Sequence, residues 1–401
     1  MMDQNDCKCK YTGVCGGCFY QQETPEQELA LKCEHVKKLL TESYPEDFEF
    51  EGILQSPVVA GYRNKMEYSF GDDRKDGPLT LGLHQKRSFY NVLDIIDCRI
   101  VHEDFNRIVA AAAEYFRALS LPYMNKRTHL GYLRYLIVRR ATHTGQILVD
   151  LVTSTQAPEE EEKILREFAE VILRLEKEGA LEGTVSGILH TKNDTLSDAV
   201  RDDGTEILYG TDSIRETLLG LCFNISPFSF FQTNSLGAEL LYSKVREYIS
   251  DALRPDRTVY DLYSGTGTIA QIVAPSVKKV VGVEIVEEAV EAARANAALN
   301  GLENCEFLAG DVLEVLDRIT ERPDVIILDP PRDGVNPKAL RKIIGYGVET
   351  IIYISCKPES LARDLVSFRV SGYRMEKCVC VNQFPRTKHV ETVVLMSKVD
   401  K

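Results

Sequence analysis

The sequence predicts a doubly wound α/β fold from about residue 226 to the C-terminus, and three observations lead to it. Strand-like and helix-like segments alternate from about Thr258 onward, the order that builds a parallel sheet from strand–helix units. The runs VIIL and IIYI are wholly apolar, as in strands covered on both faces. The glycines of DLYSGTGT allow a sharp turn after the first strand, at the sheet end where ligands bind in such folds.

Each element of this fold can be placed in chain order. The predicted strands are TVYDLYS, VKKVVGVEI, CEFLAGD, PDVIILDP and ETIIYISC. A helix is predicted over VEEAVEAARANAALNG, and Gly301 is placed to end it because glycine tolerates the left-handed conformation that follows a last helical turn.

Two further regions precede this domain, so the chain is expected to divide at about residues 50 and 225. Residues 1–50 hold a cluster of cysteines and a helical stretch over about Pro25–Leu40. Residues 51–225 have the pattern of a β-rich α+β domain, followed by the doubly wound domain over 226–401. The central elements are a hairpin of Leu130–Ala141 and Gln146–Thr153 around the His143-Thr144-Gly145 turn, and helices over Phe105–Leu119 and Glu159–Leu173.

The composition narrows the class of protein. No apolar run is long enough to span a bilayer and the N-terminus lacks a signal-peptide pattern, so a cytoplasmic protein is expected. The 11 cysteines are then expected to be reduced, as metal ligands, a nucleophile or small buried residues. A net charge of −13 argues mildly against a nucleic-acid partner, although basic residues do gather locally. These groups are Arg63-Asn64-Lys65, Lys86-Arg87, Lys126-Arg127 and Arg139-Arg140.

Acidic residues stand at four successive strand ends of the predicted sheet. They are Asp261, Glu284, Asp311 and Asp329. An acid after the second strand suits hydrogen bonds to ribose hydroxyls, and one after the third is placed to meet an adenine. The four carboxylates would repel a phosphate-rich dinucleotide, so the pattern favours S-adenosylmethionine as the ligand.

The residues after Asp329-Pro330-Pro331 indicate which atom receives the methyl group. Adenine-N6 methyltransferases normally carry an aromatic residue there, whereas this chain has Arg332. Cytosine-5 enzymes usually place a second cysteine beside the proline, and this chain has only Cys356, in ISCKP at the end of the fifth strand. Uracil carbon 5 is a poor nucleophile until a thiolate adds to carbon 6, so a lone cysteine fits uracil methylation.

The same chemistry requires a base that removes the proton from carbon 5. The segment FPRTKHVE offers Glu391, and His389 is a rival because its ordinary pKa lies near neutrality. A free thiol has a pKa of about 8.5, so positive charge from Lys357 or Arg332 is expected to favour the Cys356 thiolate.

In these motifs the chain resembles the uracil-5 RNA methyltransferases of the 23S ribosomal RNA type, a family of class I methyltransferases. The matching segments are CKYTGVCGGCFYQ, YRNKMEYSF, SPFSFFQTN, DLYSGTGTI, GVE, LDPPR, YISCKPESLARD and FPRTKHVE. The resemblance implies that Cys356 is the nucleophile and Glu391 the base. It also implies cofactor-binding roles for Gln232, Tyr263, Thr268, Glu284, Asp311 and Asp329.

The N-terminal cysteines have ligand spacing. Cys9, Cys15 and Cys18 supply three thiolates, and on chemistry alone four thiolates hold zinc or an iron–sulfur cluster. The resemblance implies a 4Fe–4S cluster with Cys98, in LDIIDCRI, as the fourth ligand, while Cys7 and Cys33 are rivals nearer in sequence. A structural cluster is expected.

The resemblance also indicates which partners this chain binds. Many relatives carry a small β-barrel before the cysteines, and this chain is expected to lack one. RNA contacts are therefore expected from residues 51–225, with Arg63 and Lys65 the first to test. Transfer-RNA members generally lack the cysteine cluster, which favours 23S ribosomal RNA, with a transfer RNA as the alternative. A monomer is expected, and a non-catalytic RNA-binding or assembly factor is the alternative of another class.

Overall fold

The computed structural model describes residues 9–197 and 200–399, apart from the side chain of Asp251. Two compact units form. The first unit comprises residues up to Gln22, Val59–Thr217 and Asn224–Phe228, and the second comprises Glu23–Val58, Leu218–Phe223 and Ser229–Lys401. Each unit is therefore assembled from separate stretches of the chain.

The helices and strands are numbered in chain order. The helices are α1 Pro25–Ser43, α2 Glu103–Leu119, α3 Glu161–Lys177, α4 Ser235–Ile249, α5 Thr268–Val273, α6 Glu287–Leu299, α7 Val312–Arg318, α8 Pro337–Gly345 and α9 Pro358–Val370. The strands are β1 Glu49–Gln55, β2 Lys65–Gly71, β3 Thr80–His84, β4 Val92–Asp94, β5 Leu133–Arg140, β6 Gln146–Thr153, β7 Thr184–Lys192, β8 Thr205–Gly210, β9 Ile214–Leu218, β10 Leu221–Ile225, β11 Thr258–Leu262, β12 Lys279–Glu284, β13 Cys305–Ala309, β14 Val325–Leu328, β15 Thr350–Ser355, β16 Tyr373–Asn382 and β17 Glu391–Lys398.

The second unit is built on one twisted sheet, and it confirms the predicted doubly wound α/β fold. Its strand order is β1-β16-β17-β15-β14-β11-β12-β13. The strands from β15 to β13 run parallel, whereas β17 is antiparallel to both β15 and β16. Helices α1, α7, α8 and α9 share one apolar core with the sheet, and α4, α5 and α6 pack against the same sheet outside that core. Both faces are therefore covered, which explains why β14 is wholly apolar and wholly buried.

Helix α6 ends as its sequence predicts. Gly301 follows it with φ +65°, and the Leu302 amide donates to the Ala297 carbonyl at 2.9 Å. The left-handed glycine thereby satisfies a carbonyl that the helix leaves free.

Helix α1 and strand β1 lie in the second unit, although they precede all the central strands in the sequence. β1 extends the sheet edge by parallel pairing with β16. α1 starts at a capping box formed by Thr24 and Gln27, and its buried positions Val36 and Leu40 join the core. Apolar burial thus places this segment, despite its position beside the N-terminal cysteines.

The first unit holds a sheet of order β4-β3-β2-β5-β6-β7-β8, together with α2 and α3. The predicted hairpin is present as β5 and β6, closed by the Ala141 amide donating to the Gln146 carbonyl at 2.8 Å. Among the described residues, no helix combines the length and the apolar character needed to cross a membrane.

Candidate active site

The ends of three neighbouring strands bring the predicted reactive residues together at one edge of the sheet. Ser355, the last residue of β15, pairs with Thr392 of β17, so the next position along the ladder sets Cys356 against Glu391. Asp329 follows β14, the strand on the other side of β15. Residues that lie far apart in sequence therefore meet at one corner of the sheet.

The Cys356 thiol is half-buried among charges of both signs. Its pKa is raised to about 11, chiefly by burial and further by the carboxylates of Glu391 and Asp329, while the guanidinium of Arg332 opposes the rise. Of the two cations expected to favour the thiolate, Arg332 lowers the pKa of this thiol, and Lys357 is exposed.

The two carboxyl groups beside Cys356 both resist ionisation. Burial raises the pKa of Glu391 to about 8; Asp329 adds to the rise, and Arg332 counteracts it. Burial likewise raises the pKa of Asp329 to about 7. Carboxyl groups whose pKa values lie near neutrality, beside a thiol, are a common feature of sites that move protons.

His389, the rival base, lies on the outer side of this group. An Nη atom of Arg332 lies 2.9 Å from its Nδ1 and 3.3 Å from its Nε2. This contact holds the imidazole ring of His389 against the guanidinium of Arg332. Glu391 is buried and His389 is only partly so, which sets the carboxyl group deeper in the corner.

The glycine loop after β11 is held by the acid that ends β12. Glu284 accepts hydrogen bonds from the amides of Gly265 and Val286, both at 3.0 Å. Gly265 and Gly267 have φ of +53° and +72°, and Tyr263 is also left-handed with φ +67°. A Cβ on Gly267 would come within 2.5 Å of the Phe307 ring, so glycine is required there for packing as well as for conformation.

The other expected cofactor residues surround the same loop. Asp311 is exposed and caps α7, its Oδ1 accepting from the Leu313 amide at 2.8 Å. Burial raises the pKa of Tyr263 to about 12, and the nearby Asp311 contributes. Thr268 is buried at the start of α5, and the Gln232 Oε1 atom accepts from the side-chain Nε2 of Gln383 at 2.7 Å.

Several buried polar atoms around this loop lack a protein partner. Asp261 accepts from the Ala270 amide through Oδ2 at 2.9 Å, but its Oδ1 has no partner. The Ser264 hydroxyl and the Gln383 Oε1 atom are also buried without a partner. Because unsatisfied buried polar atoms are costly, this set fits a ligand that carries ammonium and hydroxyl groups, such as S-adenosylmethionine.

Tyr242 on α4 belongs to the site, although none of the sequence motifs includes it. It is buried, its side chain is hydrogen-bonded to Gln232, and its pKa is raised by burial and by Asp329, Glu391 and Asp261. The signal was present, because Leu241, Tyr242, Val245 and Ile249 form the buried stripe of α4.

A buried ion pair on α1 holds the loop that leads to Glu391, and no sequence motif indicated it. Lys32 donates to Glu28 at 2.7 Å and to Asn382, the last residue of β16, at 2.6 Å. Both oxygens of Glu28 accept from the Arg386 amide, at 2.9 and 3.1 Å, where Arg386 has φ +70°. A non-glycine residue in this conformation persists only where its surroundings fix it, and the pair provides that support.

The four expected cluster ligands all lie in the first unit. Burial raises the pKa of Cys15, with Cys9 contributing, and the Gly17 amide donates to the Cys15 sulfur at 3.3 Å. Burial raises the pKa of Cys98 to about 11, and both Cys15 and Cys9 add to it. Three of the four thiols are therefore near enough to influence one another, and Asn106 fixes the Cys98 backbone at 2.8 Å.

The rival ligands differ in position. Cys33 lies on α1 in the second unit, where Cys380 is its sulfur neighbour, and Cys7 lies outside the described residues. Within residues 9–197 and 200–399, no three His, Cys, Asp or Glu side chains converge closely enough for a single metal ion. A four-iron cluster is larger than one ion and separates its ligands more widely, so the spread of Cys9, Cys15 and Cys98 does not conflict with it.

The chain is similar to known RNA methyltransferases. Residues 189–399 match the family model described as tRNA (uracil-5-)-methyltransferase. An uncharacterized RNA methyltransferase of Caldanaerobacter subterraneus is 50% identical over 97% of this chain and 84% of its own length. One from Clostridium acetobutylicum is 48% identical, over 98% and 84% of the two chains.

A solved structure matches over nearly the whole chain. The tRNA (uracil-54, C5)-methyltransferase of Pyrococcus abyssi, in complex with S-adenosyl-L-homocysteine, superposes with a TM-score of 0.75 and 26% identity. The match covers 96% of this chain and 86% of the other.

Proposed function

The chain belongs to the S-adenosylmethionine-dependent RNA uracil-5 methyltransferases, and from that premise we propose that it methylates carbon 5 of a uridine in 23S ribosomal RNA. The observation that carries the proposal is the meeting of Cys356, Asp329 and Glu391 at adjacent strand ends. A thiol, a buried carboxyl group that serves as a base and a nearby cation are the groups that this reaction requires.

Cys356 is the nucleophile in the proposed mechanism. Its sulfur forms a bond to carbon 6 of the uracil, and the electrons of the carbon 5–carbon 6 double bond move toward the carbon 4 oxygen. Arg332 is the cation that favours the thiolate. Because the raised pKa values of Asp329 and Glu391 keep part of their population neutral near pH 7, the thiolate meets less negative charge than two full carboxylates would impose.

Bound S-adenosylmethionine would supply the methyl group that carbon 5 takes up, its methyl–sulfur bond breaking to leave S-adenosylhomocysteine. Glu391 then accepts the proton from carbon 5, the double bond re-forms, and the carbon–sulfur bond breaks to release Cys356. The place of Glu391 at the first position of β17, opposite the nucleophile, supports this role. Glu391 must be ionised to accept the proton, so a pKa of about 8 makes the step sensitive to pH in the physiological range.

The cofactor is proposed to bind across the glycine loop. Glu284 would hold the ribose hydroxyls, Asp311 would meet the adenine, and Asp329 would lie near the methionine portion. Glu284 and Asp311 each keep lone pairs free beyond their backbone hydrogen bonds. Gln232, Tyr263 and Thr268 complete the proposed set, and the partnerless oxygens of Asp261 and Gln383 support it.

We also propose that Cys9, Cys15, Cys18 and Cys98 hold a structural 4Fe–4S cluster. The donor set fits, since all four cysteines are in one unit and the thiols of Cys9, Cys15 and Cys98 interact. The Gly17 amide directed at the Cys15 sulfur is the kind of contact that stabilises a ligating thiolate. When bound, the cluster would tie the N-terminal segment to the loop that carries Cys98.

The RNA class has two candidates. The cysteine segment favours 23S ribosomal RNA, since transfer-RNA members of the family generally lack it. The overall match to the Pyrococcus abyssi enzyme, which acts on a tRNA, favours a transfer RNA. The family model carries a tRNA name as well, so this candidate stands second rather than being set aside.

A labelling experiment separates these candidates. Total RNA from cells deleted for this gene is methylated anaerobically with S-adenosylmethionine labelled in its methyl group, and the modified nucleoside is mapped by mass spectrometry. The proposal expects 5-methyluridine in 23S ribosomal RNA. Label in transfer RNA would keep the chemistry and change the substrate, and a complete lack of label would overturn the proposed function.

A further inference from the structure

The loop between β3 and β4 in the first unit presents two adjacent aromatic side chains to solvent. Phe89 is 79% exposed and Tyr90 is 62% exposed. Single exposed apolar residues are common on protein surfaces, but two large neighbouring rings in one short loop expose an unusual amount of apolar area.

Hydrogen bonds within this loop fix its conformation. The Gln85 amide donates to the Asn91 carbonyl at 2.9 Å, and the Asn91 side chain donates to the Gln85 side chain at 3.0 Å. The Ser88 hydroxyl accepts from the Asn91 amide at 3.0 Å. The two rings are therefore held outward by a fixed backbone, so stacking on them would cost little conformational entropy.

Two cations share the loop with the rings. Lys86 and Arg87 are exposed, and within the described ranges, 9–197 and 200–399, neither forms an ion pair with an acid. Arg87 has φ +65°, a left-handed conformation that is rare for a residue with a side chain and that often marks a functional position.

The cysteine segment fixes the base of the same loop. The Gly16 amide donates to the His84 carbonyl at 3.0 Å, and the Lys86 amide donates to the Val14 carbonyl at 2.7 Å. Lys126, from another part of the unit, lies 3.5 Å from the His84 ring. Positive charge thus accumulates here, although the chain as a whole carries a net charge of −13.

We propose that Lys86, Arg87, Phe89 and Tyr90, here called the loop platform, bind an unpaired stretch of the RNA substrate. Bases stack on the two rings, and the cations contact the flanking phosphates, a combination typical of single-strand binding. This inference deepens the proposed function and rests on it. A protein partner is disfavoured because unpaired cations around aromatic rings complement a phosphate backbone.

Fluorescence gives a direct test because the chain contains no tryptophan. Phe89→Trp creates a single reporter on the loop platform, and Val370→Trp creates a matched control at a 74% exposed position at the end of α9 in the second unit. Each variant is titrated with an oligouridylate of about 12 nucleotides, within the usual site sizes of single-strand binders, and with a duplex RNA of the same length. The duplex controls for charge without unpaired bases.

The expected result is saturable quenching of Phe89→Trp by the oligouridylate, weaker quenching by the duplex, and none for Val370→Trp. Phe89→Ala is expected to weaken oligouridylate binding about 5- to 150-fold, the range for removing one stacked base. The Lys86→Ala/Arg87→Ala double variant should make the dependence of the binding constant on salt shallower, by about 0.7 for each phosphate that is no longer neutralised.

Unchanged Phe89→Trp fluorescence under conditions where the RNA binds would overturn the platform. The titration is compared with covalent trapping of the wild-type chain by 5-fluorouridine RNA. Trapping without quenching rejects the loop platform and keeps the methyltransferase, whereas quenching without trapping keeps the RNA surface and rejects the proposed chemistry. Equal quenching of both tryptophan variants would show nonspecific contact and would also reject the platform.

Discussion

The active-site corner and the cysteine segment are built in different ways. The corner collects Asp329, Cys356 and Glu391 from three strand ends, with Glu391 buried, the other two partly buried and the exposed cation Arg332 nearby. The cysteine segment takes most of its thiols from one short stretch of chain, folded by local turns, and adds Cys98 from a distant loop. The corner depends on the register of the sheet, whereas the segment is proposed to depend on a cluster that its thiols bind. The two regions should therefore fail differently when they are altered.

The largest effect is expected at the nucleophile. Cys356→Ala removes the only group proposed to add to carbon 6, so turnover should fall below detection, while cofactor binding stays within a few-fold. Multiple-turnover assays and calorimetric titration with S-adenosylmethionine measure the two quantities. Cys305→Ala, a second cysteine of the same unit, is the control, and methylation by Cys356→Ala at even a hundredth of the wild-type rate would remove Cys356 from the mechanism.

The next effect is expected at the base. Glu391→Gln keeps the shape of the side chain but cannot accept the proton, so the rate should fall by about 10² to 10⁴ and the covalent enzyme–RNA adduct should accumulate. Denaturing gel electrophoresis of the stalled reaction detects the adduct. His389→Gln serves as the comparison: if His389→Gln stalls and Glu391→Gln turns over normally, the two assignments must be exchanged.

The contrast between the regions is sharpest at Cys98. Cys98→Ala should remove the brown absorbance of the anaerobically purified protein and lower the thermal stability of the first unit. Cys356 lies in the other unit, so single-turnover adduct formation should change less than tenfold. Cys33→Ala is the matched control, and a normal cluster spectrum in Cys98→Ala would contradict the ligand set.

A smaller effect is expected at the support of the corner. Lys32→Met leaves Glu28 buried without its cation, which should lower the free energy of unfolding by about 3–5 kcal/mol. Because Glu28 also holds Arg386 in the loop before Glu391, release of the adduct should slow more than its formation. Lys38→Met breaks an exposed pair with Glu42 on the same helix and should change neither the stability nor the release of the adduct. Equal slowing of adduct formation and adduct release in Lys32→Met would indicate a purely structural role for the buried pair.

The last prediction concerns pH. The pKa of Glu391 is raised from 4.5 to about 8 in the folded chain, so the unfolded chain releases its proton first as the pH rises. Wild-type stability should therefore fall between about pH 4.5 and about pH 8, and Glu391→Gln should lose that part of the decline. Urea unfolding of both proteins across this range measures it, and parallel curves would show that the Glu391 pKa is not raised.

The sequence alone predicts only part of the active-site corner. Strand ends of a parallel sheet meet at one edge, so the sequence alone predicts that Asp329 and Cys356 belong to one site. The pairing of Cys356 with Glu391 also required β17 to run antiparallel between β15 and β16, which the apolar pattern alone does not specify.

The supporting residues were harder to predict because their chemistry resembled that of a solvated surface. Glu28 and Lys32 have the spacing of an ordinary exposed ion pair on a helix. They lie on the same face of α1 as Val36 and Leu40, because the four residues follow one another at intervals of four. Since Val36 and Leu40 are buried in the core, the ion pair is buried as well. Asp311 is the opposite case, a residue that the sequence assigns to the cofactor site and that also has a local structural role. It is exposed and caps α7, which its position after a strand did not reveal.

Mass spectrometry of the trapped adduct tests the central claim most directly. The wild-type chain is reacted with 5-fluorouridine RNA and S-adenosylmethionine, digested with ribonuclease and protease, and searched for peptides that carry a nucleotide. A methylated fluorouridine nucleotide is expected on the peptide that contains Cys356, because fluorine at carbon 5 blocks the release that Glu391 would otherwise assist. A nucleotide attached to any other cysteine, or methylated uridine formed without a covalent intermediate, would contradict the account.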